Sequence, residues 1–178
     1  MTIDLRLPRT VWAEHPRFPT QTLLLGSHRN FRATSRWLLS RAEEGAPRDA
    51  ILADFAWWKG AMHGHERYEE GKLYPYLQHR WGISCGDLMA GHEALADAEL
   101  RVRAAAGDAL AEALGVHHAV LLDHLDAEER RVIPALLALG VQEFADYTEH
   151  GRGWLMREVP CHGGAERCEA CLHPRRAG

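Results

Sequence analysis

Four stretches of the chain repeat apolar residues every three or four positions, the spacing that gives a helix one buried face. The first begins near Thr20, carries Leu24, Leu25, His28, Phe31, Ser35, Leu38 and Leu39, and stops at Gly45. The second opens at Pro47, a residue suited to a first helical turn, and runs through Ile51, Phe55, Trp58 and Met62 to His65 and Glu69. The third spans about Ser84 to Ala106, with Leu88, Met89, His92, Leu95, Ala96, Glu99 and Val102 on its stripe. Gly107 separates it from a fourth, with Asp108 placed to cap it, which turns Leu110, Leu114, His117, Leu121, His124, Glu128 and Val132 inward. Short connections between four such segments predict an all-α fold, an antiparallel up-down-up-down four-helix bundle over residues 20–140. Residues 1–19 hold three prolines and no period and read as an irregular arm. Residues 141–178 read as a short helix followed by a tail.

One stretch occurs twice. Residues 65–77 and 124–136 each start with His and place Glu at +4 and +5, an apolar residue at +8, Pro at +10 and Leu at +12. Side chains four apart on a helix share a face, so His65 with Glu69, and His124 with Glu128, each offer an imidazole and a carboxylate to one neighbour. Pro75 is expected to kink or end its helix one turn later. The inward polar residues then sum to His28, His65, Glu69, His92, His124 and Glu128. Burying them uncompensated costs several kcal/mol per unpaired group, and a metal pair compensates them most simply. Imidazole with carboxylate suits iron, manganese or zinc, and a carboxylate can bridge two ions. A network of His–Glu pairs without metal is the plainer alternative.

Twelve histidines are many for 178 residues, and the balance of 21 basic against 25 acidic side chains is mildly acidic. No basic stripe points to nucleic acid and no run of 18 apolar residues to a membrane, so a cytoplasmic protein with neither partner is expected. Cys161, Cys168, Cys171 and His173 crowd the tail; they have the ligand types of a zinc site without regular knuckle spacing, and a redox-active thiol pair or incidental cysteines fit equally.

The order His, His-x3-Glu, His, His-x3-Glu, with apolar-Pro-x-Leu after both pairs, resembles the hemerythrin-like, or HHE cation-binding, domain family across residues 20–140. The resemblance implies two non-haem irons with an oxo or hydroxo bridge, His28 and His65 on one, His92 and His124 on the other, and Glu69 and Glu128 bridging. It implies reaction with dioxygen, peroxide or nitric oxide, with electrons from an unidentified donor and a small organic molecule as a further substrate class. Oxygen-carrying members have another His where this chain has Ala96, and His-x4-Asp where it has His-x3-Glu, so a redox enzyme is expected before a carrier. An oxygen- or iron-binding sensor or storage module is the alternative. Glu66 reads as an extra ligand or an outer hydrogen-bond acceptor, and Tyr68 as a neighbour of the site or a packing residue. Glu70 and Glu129 read as ion-pair or outer partners, and His117, two turns from His124, as too distant to ligate.

Overall fold

The computed structural model of the chain describes residues 9–12, 14–18 and 22–145; the zinc or thiol site expected at Cys161, Cys168, Cys171 and His173 lies outside the described residues. All regular structure among them is helical: α1 (Arg9–Trp12), α2 (Thr22–Glu43), α3 (Arg48–Tyr68), a π-helical turn (Glu69–Leu73), α4 (Tyr74–Trp81), α5 (Gly86–Ala104) and α6 (Ala109–Leu137), with residues 141–145 also helical. No helix of the described residues is long and apolar enough to cross a membrane.

The four long segments stand where the periodicity puts them. Pro47 precedes α3, and Gly45, Gly82 and Gly107 take positive φ where the chain turns. Three details differ from the sequence reading. The N-terminal arm contains α1, which buries Trp12. Asp108 stands at the N-cap of α6 but its side chain makes no capping bond. On α5 the buried face is Leu88, His92, Leu95, Ala98, Glu99 and Val102, while Met89 is 47% exposed and Ala96 also faces out. Met89 and Ala96 are seven apart, both on one edge of the stripe, and the contact of α5 with α6 selects the other edge.

Pro75, expected to kink or end its helix, distorts it without ending it. A proline has no N–H, and in an α-helix its ring crowds the carbonyl four residues back, here that of Gly71. The chain widens instead: the Tyr74 N–H reaches the Glu69 carbonyl, five residues back, and α4 continues to Trp81. In the second copy Pro134 lies inside unbroken α6. The copies part at Gly71 against Arg130, and glycine makes the first copy the weaker helix there by about 1 kcal/mol.

Buried apolar residues form two clusters. One holds Trp12, Leu24, Tyr68, Leu73, Leu88 and Val132; the other holds Phe31, Phe55, Met62, Leu95, Leu121 and Leu125. Every long helix crosses from one cluster to the other at its inward histidine: Leu24 to Phe31 past His28, Met62 to Tyr68 past His65, Leu88 to Leu95 past His92, Leu121 to Val132 past His124. The polar layer therefore lies between two dry cores.

Within the second cluster the helices also bury Lys59, at 1% side-chain exposure, its Nζ 3.3 Å from Glu99 Oε2 and 3.7 Å from Glu66 Oε1. Glu99 also meets His63 at 3.2 Å and Arg103 at 2.7 Å, which ties the lysine to the surface. Removing Glu99 would leave a buried ammonium with one distant partner. The variant Glu99→Ala is expected to lose about 3–5 kcal/mol in urea unfolding, the cost of breaking a buried pair; a loss under about 1 kcal/mol would mean that Lys59 swings out to water.

Candidate metal centre

Inward side chains of α2, α3 with the first residue of the π turn, α5 and α6 meet between the two clusters. His28, His65, Glu69 and Glu128 form one buried group and Glu69, His92 and His124 a second, each with ligand-type atoms within 4.8 Å of one another. All six residues singled out from the sequence are thus brought together, and Glu69 belongs to both groups.

The two oxygens of Glu69 face different neighbours. Its Oε1 is 2.6 Å from His65 Nε2 and 3.9 Å from His28 Nε2, whereas Oε2 is 3.4 Å from His92 Nε2. That is the posture of a carboxylate able to span two ions. Glu128 is less symmetric: Oε2 lies 3.2 Å from His28 Nε2 and 3.9 Å from His124 Nε2, while Oε1 accepts a hydrogen bond from the Tyr74 hydroxyl at 2.9 Å. The family resemblance gives Glu69 and Glu128 one bridging role; here their surroundings differ.

The second Glu of each repeat has a matching task. Glu129 Oε1 accepts from His28 Nδ1 at 3.0 Å, and Glu70 Oε1 accepts from His92 Nδ1 at 2.7 Å. An ionised carboxylate only accepts, so Nδ1 carries a proton, and each ring when neutral presents a bare Nε2 to the centre, the tautomer a metal ligand needs. Glu129 is itself held by Arg32 at 2.6 Å and by Arg9 from α1. The other two rings are fixed by packing. His65 meets Phe31 edge-on, ring centroids 5.1 Å apart. His124 crosses His92 at 4.6 Å and lies over Gly91, where a Cβ would overlap its Nδ1.

Apart from one contact between His28 Nε2 and His65 Nε2 at 3.0 Å, the donor atoms face one another without hydrogen bonds: both oxygens of Glu69, Oε2 of Glu128 and Nε2 of His92 are buried and have no partner. Acceptors converging on one another in a dry interior repel, and a cation between them reverses the sign. The residues fit a metal on that count. Protons are the lesser substitute. Burial lowers the His28 imidazole, but Glu128 and Glu69 outweigh it and raise its pKa; His92 is likewise raised to about 9 by Glu69 and Glu70 against burial. Glu69 is held well below the carboxylate range, since His65, His28 and His92 overcome its burial, whereas burial and repulsion from Glu69 raise Glu128. His124 falls to about 4 through burial and the charge on His92.

Glu66, adjacent to His65, stands outside both groups; its Oε1 is buried and points toward Lys59. Tyr68 is buried in the first apolar cluster. The tyrosine that touches the centre is Tyr74, whose hydroxyl burial and the Glu128 charge keep protonated and whose ring stacks on His92 at 5.9 Å. By the α-helical 100° per residue it would lie about 140° from Glu69, and the wide turn brings it round. The Gly-x3-Pro spacing is the one sequence signal of that turn.

No protein-family model, curated protein or solved structure matches the chain.

His117 tests the same core without touching the centre. Fully buried, edge-on to Phe55 and Trp58 and with neither nitrogen partnered, it is lowered to about 3 by burial and then by Lys59. An unfolded histidine takes a proton near 6.5, so below that pH the unfolded chain gains a proton that the folded one refuses. Stability present above about pH 6.5 is thus lost at about 1.4 kcal/mol per unit as pH falls toward 3. In His117→Leu the fall in Tm from about pH 7 to pH 5 should shrink; parallel falls in both proteins would refute this account.

Proposed function

We propose that the chain is a hemerythrin-like di-iron protein, an up-down-up-down four-helix bundle that reacts with dioxygen, peroxide or nitric oxide. The bundle reading is supported by the sense of the helices: α2 and α5 pass from the first apolar cluster to the second, α3 passes back, and α6 returns from the second to the first. One observation carries the two-metal reading, namely two donor groups that share Glu69 and give each group one of its oxygens. Iron is the choice that the motif resemblance adds to a donor set that also suits manganese or zinc.

Two ferrous ions held here would supply one electron each to a small bound molecule. The protein's part is positional. Glu129 and Glu70 fix the tautomers of His28 and His92, Tyr74 directs one oxygen of Glu128 away from the centre and leaves the other facing in, and the apolar clusters keep bulk water out. One donor group has a residue fewer than the other, which favours turnover over sealed storage. We read the centre as that of an oxidoreductase, for detoxification or for oxidation of a small organic substrate. A sensor or store of oxygen or iron is the second reading.

The experiment is anaerobic reconstitution with ferrous iron and a count of metal per chain, followed by mixing with oxygen, peroxide or nitric oxide. Two irons and repeated consumption of one oxidant support the enzyme, and a stable reversible optical band supports the sensor. Retention of fewer than one iron by the folded chain sinks both.

A further inference from the structure

We propose that the outward face of α5 is a contact between two copies of this chain, packed antiparallel about a twofold axis midway between Ala96 and Leu100. Glu93, Ala96, Leu100 and Arg103 follow one another at intervals of three, four and three residues and, at 100° per residue, fall within about 80° of the helix surface. They turn away from α6, the helix on which α5 packs: Leu100 is 64% exposed, and Glu93 and Ala96 are exposed as well. Single exposed apolar residues are ordinary on a folded protein. What singles out this stripe is its symmetry. Reversed and laid on itself, the spacing sets Glu93 against Arg103 of the second copy and Ala96 against Leu100 of the second copy, and the axis makes each contact occur twice.

The chemistry of the pairs suits that register. Intervals of three and four in alternation are those of a two-helix seam, and a leucine over an alanine sets a large side chain against a small one, which lets the backbones close up. Arg103 gives Nε and Nη2 to Glu99, which leaves Nη1 of its guanidinium for another acceptor, and its side chain is 47% exposed. Glu93 makes no ion pair among the described residues and can receive that donor. A parallel pair would bring Glu93 to Glu93 and Arg103 to Arg103, so charge decides the direction. The apolar contacts carry the affinity, because exposed ion pairs add little. Ten residues of helix make a seam of about 15 Å, so the interface is small and the dimer weak. It forms whether or not the centre holds metal.

The test is sedimentation of the full chain between about 10 µM and 1 mM, the range in which a small interface associates, and a monomer passing to a dimer is expected. Glu93→Arg and Arg103→Glu should each weaken association at least about tenfold, since every substitution acts twice across the axis. An equimolar mixture of these two variants should associate, because both charge pairs are then restored. Glu112→Arg, which alters an exposed charge on α6, is the control and should leave association unchanged. Arg103→Glu places a second carboxylate beside Glu99, so if circular dichroism finds that variant unfolded, Leu100→Asp takes its place and should abolish the dimer. A monomer at every concentration, a mixture of folded variants that stays monomeric, or a dimer that keeps its affinity in both Glu93→Arg and Leu100→Asp overturns the proposal. A monomer in which a Leu100→Cys thiol resists a maleimide also overturns it, in favour of cover by residues 146–178 of the same chain.

Discussion

Replacing Glu69 by alanine should take bound metal from two ions per chain to one at most, whereas Glu128→Ala, which leaves three donors in each group, should keep more. Glu69 is the only residue in both donor groups, with Oε1 toward His65 and Oε2 toward His92. Its loss leaves His28, His65 and Glu128 on one side and two imidazoles on the other, and two imidazoles alone hold a divalent ion weakly. Loss of even an outer partner costs about 10–100-fold in affinity, and a shared inner carboxylate exceeds that at both positions. Metal analysis after desalting, with ferrous iron or cobalt(II), measures it. Equal retention in the two variants would remove the special place given to Glu69.

The second large effect is expected from one added methyl. In Gly91→Ala the new Cβ would clash with His124 Nδ1, so the ring must turn or α5 must back away from α6. Overpacking of this kind costs about 1–3 kcal/mol. The displaced imidazole should also leave its group, so metal falls toward one per chain. Gly60→Ala is the control. That glycine lies inside α3, a methyl on its Cα would meet nothing within 4 Å, and alanine there should stabilise by up to about 1 kcal/mol through helix propensity alone. Thermal unfolding of the two variants in opposite directions is the expected result; Gly91→Ala behaving as Gly60→Ala does would mean that the ring has room to spare.

The contrast between these glycines shows what a linear sequence carries. Periodicity with a duplicated spacing is enough to gather His28, His65, Glu69, His92, His124 and Glu128, because each lies on an inward stripe and a shared spacing implies a shared partner. The outer layer is less legible. Glu70 and Glu129 are visible as the repeated +5 residue, but which ring each one holds depends on which helix stands opposite. Gly91 reads as an ordinary weak helix residue until the backbone of α5 is seen against His124. No motif in the sequence marks Lys59, and the convergence of Glu66 and Glu99 is what allows it inside. Met89 faces out against the sequence expectation because one edge of the α5 stripe is as apolar as the other, and contact with α6 decides between them.

The unequal carboxylates Glu70 and Glu129 carry one more consequence, for ionic strength. Charge pairs open to water are screened within about 10 Å at 0.1 M salt, while enclosed ones feel the electrolyte far less. Sodium chloride should therefore weaken the hold of the exposed Glu70 on His92 and leave the enclosed pair of Glu129 with His28 nearly untouched, although Arg9, half-exposed, is screened from Glu129 as well. A brackish buffer would relax a single side of this bundle and spare its twin.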